Sequence, residues 1–190
     1  MLGEGQERVI RYETFIVTVI GLSALFVSGY TAYVQRQQVR AIVWPILEYD
    51  TSNEPMIQFT LENKGIGPAI IRHVIVTVDG QPVPDWNEAL QKLVGPGTYH
   101  FSESTMSGHV LKAGESIDIL VPHDSDNSVL TSGKAGELWT TLNKARRRVG
   151  VEICYCSTLG DCWTLHSDSN TNSTVETRRV PEKSAITFQQ

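Results

Sequence analysis

Thr14 to Val34 is a run of 21 residues without a charged side chain, TFIVTVIGLSALFVSGYTAYV. About 20 apolar residues suffice to cross a hydrocarbon core of roughly 30 Å, and helices buried in soluble cores rarely run so long without a charge. Aromatic residues flank the run. Tyr12 and Phe15 sit at one end and Tyr30 and Tyr33 at the other, where rings favour the membrane interface. The apolar stretch is longer than that of a signal peptide, and no small-x-small cleavage site ends it. The expectation is an uncleaved signal-anchor: a tail over 1–13, a transmembrane helix over 14–35, a linker over 36–41 and a domain over 42–190. The lipid bilayer is then the partner of residues 14–35, in a single-pass protein of the cell (inner) membrane.

Orientation is balanced on charge. Arg8 and Arg11 precede the span, Arg36 and Arg40 follow it, and the Lys/Arg count that sets topology is tied. A short N-terminal tail commonly stays in the cytoplasm, which favours an extracytoplasmic domain. Ala24, Ser28 and Ala32 recur at i, i+4 and i+8, a small-residue stripe along which two anchors can form a homodimer.

The remainder is a different kind of polymer. The first 40 residues carry 4 basic and 3 acidic side chains of the 16 and 21 in the chain. That leaves 12 basic against 18 acidic, a net charge of -6 for residues 41–190. This acidity argues against a nucleic-acid binder, which usually shows a clustered basic surface, so no nucleic-acid partner is expected. The pattern is one of short strands between turns. Strands are expected at Ile42–Tyr49, with Pro45 marking a sheet edge, and at Met56–Leu61, Ala69–Val78, Val110-Leu111, Ile117–Val121, Val149–Cys156 and Cys162–His166. Val175–Arg179 and Ala185–Phe188 are weaker candidates. Two helices are expected. One spans Asp85–Leu93, with Asp85 as N-cap and Glu88 three residues on. The other spans Gly136–Arg147, with Leu138, Trp139, Leu142 and Ala145 near helical spacing. The fold class is mainly β: an N-terminal transmembrane helix followed by an immunoglobulin-like β-sandwich with two short inserted helices.

The anchor is followed by Val43-Trp44-Pro45, then by Leu61-Glu62-Asn63-Lys64-Gly65-Ile66-Gly67-Pro68-Ala69. Ile153-Cys154-Tyr155-Cys156-Ser157 and Cys162-Trp163 come later. Over most of its length the chain resembles a group of small bacterial single-pass membrane proteins. Their β-sandwich-like domain carries an Asn-x-Gly-x-Gly-Pro-Ala turn. The resemblance implies an anchored β-sandwich and carries no established activity. Gly65-Ile66-Gly67 is not a dinucleotide fingerprint, because Ile70 stands at the third glycine position and a strand follows. A turn that needs positive φ would account for both glycines.

The three cysteines concentrate the chemical interest. On a hairpin Glu152, Cys154, Cys156, Cys162, Thr164 and His166 share one face, and Val151, Ile153, Tyr155, Trp163 and Leu165 share the other. The second set is the expected core face. In the simplest register Cys156 opposes Cys162 and Cys154 opposes Thr164. Three chemistries fit. A Cys156–Cys162 disulfide needs an oxidising compartment. A zinc site of Cys154, Cys156, Cys162 and His166 has suitable ligand types but not the usual loop spacing. Packed free thiols are the third. No Gly-x-Ser-x-Gly or His-Glu-x-x-His is present, and His73, His100, His109, His123 and His166 are scattered. No enzyme activity and no cofactor are expected. Asp124–Asn127 reads as a solvated loop, and Arg146–Arg148 as charges complementing a helix end or touching anionic lipid. The leading functional expectation is a membrane-anchored non-catalytic binding or structural module. It would meet an unidentified protein partner through the loop at Gly95–Ser107 or the acidic Asp124–Asn127. The alternative is a thiol-based redox or zinc-dependent sensor using the cysteine hairpin.

Overall fold

The computed structural model of the protein describes residues 3–52, 57–123, 135–168, 172–177 and 188. It divides into Met1–Ile42 and Val43–Gln190. The first unit is one helix, α1, Gly3–Ile42. It is long and apolar enough to cross a membrane, which is consistent with a single-pass protein, and none of its apolar stretch is buried within the protein. It extends beyond the expected span at both ends, and residues 36–41, expected as a linker, are helical. Gln35–Ile42 contains no Gly or Pro and is rich in helix formers. Pro45 disfavours helical backbone at Trp44, which fits a helix end at Ile42. Four hydroxyls along α1 donate to the carbonyl one turn back: Thr18 to Thr14 (2.7 Å), Ser23 to Val19 (2.8 Å), Ser28 to Ala24 (2.7 Å) and Thr31 to Val27 (2.8 Å). Those donors are therefore satisfied within the helix, as an apolar medium requires.

The second unit is built on two antiparallel sheets. One has the order β1-β2-β7-β5, from Leu47–Ser52 (β1), Gln58–Asn63 (β2), Ser116–His123 (β7) and His100–Glu103 (β5). The other has the order β10-β9-β8-β3-β4, with β6 also pairing β3. Its strands are Ala69–Val78 (β3), Gln81–Val83 (β4), Val110–Leu111 (β6), Val149–Cys156 (β8), Cys162–Ser167 (β9) and Asn172–Thr177 (β10). The first strand begins at Leu47, not Ile42, because the helix and the proline occupy the earlier residues. β5 lies inside the expected loop Gly95–Ser107, and β10 starts three residues before the expected Val175. The stretch Asp124–Asn127 and residues 185–187 of the last candidate strand lie outside the described residues.

Both sheets feed one core. Phe59 of β2 lies 6.4 Å from Tyr49 of β1 and 6.0 Å from Trp86, ring to ring. Phe188 meets Trp86 edge-on at 5.3 Å. From the other sheet, the Tyr155 hydroxyl accepts from the Leu47 backbone N–H at 3.5 Å. Helix α2, Trp86–Val94, buries Trp86, Ala89, Leu90 and Leu93. That spacing is one face of an amphipathic helix. Its start is the expected one, since the Asp85 carboxylate accepts the Glu88 N–H at 2.8 Å. Helix α3, Ala135–Ala145, packs on α2 and buries Leu142 and Ala145. It tightens into a 3₁₀ turn at Arg146–Arg148.

The β3–β4 hairpin turns on Asp79 and Gly80, both at positive φ (53° and 76°). Such a two-residue Asp-Gly turn matches the right-handed twist of the flanking strands.

Candidate functional site

The β8–β9 hairpin pairs Cys156 with Cys162, Cys154 with Thr164 and Glu152 with His166. The sulfurs of Cys156 and Cys162 are bonded at 2.01 Å. Cys154 is a free thiol. The cysteine face is not an open one. Ile153, Cys154, Tyr155 and Cys156 are all buried, so both faces of this end of β8 are covered. β8 is an interior strand between β3 and β9, and Cys154 lies in a row with His73 of β3 and Thr164 of β9, both buried. Burial pushes the Cys154 thiol up, with the hydrogen bond to Thr164 acting the other way. A raised thiol is a poor nucleophile at neutral pH. His73 Nε2 is buried with no hydrogen-bond partner.

The four candidate zinc ligands, Cys154, Cys156, Cys162 and His166, are not assembled. Two of the four sulfur and nitrogen donors are consumed in the disulfide, and His166 instead places Nδ1 3.4 Å from Glu152 Oε2. Among the described residues, no group of three or more His, Cys, Asp or Glu side chains is placed to hold a metal ion.

Sequence reasoning underrated Asn63, which is fully buried. Its Oδ1 accepts from Gly65 N (3.0 Å) and Ile46 N (3.2 Å). Its Nδ2 faces the carbonyls of Gly67 (2.8 Å), Leu111 (3.2 Å) and Lys112 (3.2 Å). Its backbone N–H donates to Glu115 O and its carbonyl accepts from Gly114 N. The segment Val43–Ile46 is strapped down by further bonds, Lys64 N to Ile46 O at 2.8 Å and Ile66 N to Trp44 O at 3.1 Å. The two glycines of the motif serve this clasp. Neither has positive φ, contrary to expectation. A Cβ at Gly65 would stand 2.4 Å from Ile46 N, and one at Gly67 2.2 Å from the Val43 carbonyl. Only glycine lets the entering chain lie this close. The clasp holds the chain from the second residue after α1. Trp44 then stacks on Trp163 at 6.4 Å, and Trp163 lies 5.9 Å from Tyr155.

The opposite end of the sheet, where Val78 pairs with Val149, is charged. Arg148 grips Asp79 with Nε–Oδ1 at 2.8 Å and a second contact from Nη2 to Oδ2. This hydrogen bonding holds the Asp79 carboxyl below the usual carboxylate range. Arg146 donates to the Thr51 carbonyl at 2.8 Å. Two arginines of the triplet are thus engaged within the domain. Arg147 joins Thr77, Asp79, Arg148, Gly150 and Asp168 around an open cleft of about 320 Å³.

No protein-family model, curated protein or solved structure matches this chain. A functional reading therefore rests on its own residues.

Proposed function

We propose that this chain is a membrane-anchored, non-catalytic binding or structural module whose domain lies outside the cytoplasm. The observation that carries it is the Cys156–Cys162 disulfide on a domain tethered by an apolar helix. Disulfides persist in oxidising compartments and are rare in the cytosol. The arginine counts around α1 are tied, and the compartment argument supports this orientation. The membrane is the inner membrane of a bacterial cell, in line with the family resemblance.

The domain is immunoglobulin-like in this reading. The orders β1-β2-β7-β5 and β9-β8-β3-β4 correspond to A-B-E-D and G-F-C-C′ of such a sandwich, with β10 added at one edge. The departures are specific. The disulfide closes the β8–β9 hairpin and does not bridge the two sheets, and β3 carries no tryptophan. Such sandwiches present loops for recognition, and the end with the Arg147 cleft faces the protein partner. A reporter fused after Gln190 tests the orientation. Activity of a periplasm-only reporter is expected, and activity of a cytoplasm-only reporter overturns it.

A second reading, a thiol-based redox sensor, draws on the third thiol on the same sheet face as the disulfide. Reduction would place Cys154, Cys156 and Cys162 together as thiols. Burial of Cys154 argues against ready exchange. A reductant-dependent change in zinc content or in oligomeric state of the purified full chain would favour this second reading.

A further inference from the structure

Among the described residues of Val43–Gln190, the large hydrophobic side chains that stand exposed are Trp44 (51%), Ile46 (44%), Ile66 (67%), Val110 (48%) and Leu159 (51%). They are not scattered. Trp44 O accepts from Ile66 N, and Ile46 brackets Lys64 and Asn63. Val110 pairs with Ile70, which itself opposes Cys156. Leu159 lies in the turn that the Cys156–Cys162 bond closes, and Trp163 stacks on Trp44. All of them therefore gather at one end of the domain, around the clasp. Single exposed apolar residues need no explanation, but a one-ended cluster marks an interaction site.

Chain connectivity says what lies at that end. Trp44 is two residues from the end of α1, so it cannot be more than about 7 Å from it. The helix has 40 residues, about 60 Å at 1.5 Å per residue. A bilayer with its headgroups is about 40–45 Å thick, so roughly 15–20 Å of an upright helix lies beyond it. The charges decide which end that is. Gly3–Glu13 carries Glu4, Glu7, Arg8, Arg11 and Glu13, and its length matches the excess. Gln35–Ile42 carries only Arg36 and Arg40, long stems that reach headgroups from within the bilayer edge, together with exposed Val39 and Ile42. With the N-terminal turns outside, Ile42 falls at headgroup level, and Trp44 follows directly.

We propose that the clasp end of the domain, through Trp44, Ile46, Ile66, Leu159 and Trp163, rests on the lipid headgroup surface of the membrane that α1 crosses. This rests on the anchor reading above. Tryptophan is the side chain most suited to that layer, with an apolar body and a polar N–H. The clasp then has a role. It fixes a tryptophan pair at the point where the chain meets lipid, and it leaves the charged, opposite end to the solvent and the partner.

The four tryptophans lie at 44, 86, 139 and 163, none of them in α1, so tryptophan emission reports the domain alone. The test uses the full chain in phosphatidylcholine–phosphatidylglycerol liposomes, with and without lipid brominated near the headgroup end of the acyl chain. Brominated lipid is expected to remove the share of emission carried by Trp44 and Trp163. The W44F/W163F chain is expected to lose none. Ile66→Asp, at an exposed position, is expected to reduce the quenching without unfolding the domain. Equal emission from the two liposomes overturns lipid contact. So does quenching that survives in W44F/W163F, or tryptophans shielded by a second copy in cross-linked dimers without quenching. Flotation with the liposomes separates the two ideas. A chain that fails to float contradicts the anchor, while one that floats unquenched contradicts only the lipid-facing surface.

Discussion

The two ends of the β-domain are built on opposite principles. At one end a buried asparagine, two glycines and a disulfide hold backbone against backbone. Exposed there are the apolar side chains of Trp44, Ile46, Ile66 and Leu159, beside a Lys64–Glu62 ion pair. At the other end an exposed ion pair between Arg148 and Asp79 borders an open cleft. Buried hydrogen bonds are costly to break because the abandoned partner stays out of water, whereas exposed ion pairs exchange readily with solvent and salt. The clasp end should therefore carry stability and the charged end should carry little.

Substitutions can break or sharpen this contrast. Asn63→Ala is expected to have the largest effect. It strands the amides of Gly65 and Ile46 and three carbonyls. At about 1–3 kcal/mol for each buried group left unsatisfied, a loss of more than about 3 kcal/mol is expected in denaturant unfolding of the full chain. A loss below about 1 kcal/mol would mean that the clasp does not organise the domain. Gly67→Ala comes next. Its Cβ collides with the Val43 backbone, whereas a Cβ at Gly80 meets nothing within 4 Å. Gly80→Ala is strained only by its φ of 76°, at about 1–2 kcal/mol. The melting temperature should fall further for Gly67→Ala than for Gly80→Ala, and the reverse order would refute close approach as the reason for the motif's glycines. Cys156→Ser with Cys162→Ser opens a short loop and should cost about 2 kcal/mol on the chain-entropy model.

The smallest effect is expected at the charged end. The lowered Asp79 pKa means that its pairing stabilises the fold above the ordinary carboxylate range and is lost as pH falls through the lower folded value. The stability difference between wild type and Asp79→Asn should thus be small at neutral pH, shrink with added salt and vanish on acidification. A difference that grew on acidification would contradict the assigned pairing.

The hairpin was the most readable part of the sequence. Alternation and the simplest hairpin register placed Cys156 opposite Cys162 and Cys154 opposite Thr164, and β3 and β8 have their expected bounds. Those features depend on local period and loop length. The burial of Cys154 did not follow from them, because it depends on His73 and Thr164, contributed by strands on either side. The clasp was legible only as a turn. Asn63-x-Gly65-x-Gly67 has the composition of a loop, and its real constraint comes from Val43–Ile46, which no short-range pattern couples to it. β5 escaped for a related reason. His100-Phe101-Ser102-Glu103 is a short edge strand, with little apolar alternation to read. The helix overran its expected end because charge marks the limit of an apolar span, and Arg36 and Arg40 are no obstacle to helical backbone.

The most direct test of an anchored domain outside the cytoplasm is the mass of the intact chain taken from membranes and acid-trapped, then unfolded and alkylated without reductant. One added alkyl group, at Cys154, with two further groups added only after reduction, is the expected result. Three alkyl groups added without reductant would contradict both the Cys156–Cys162 bond and the compartment inferred from it.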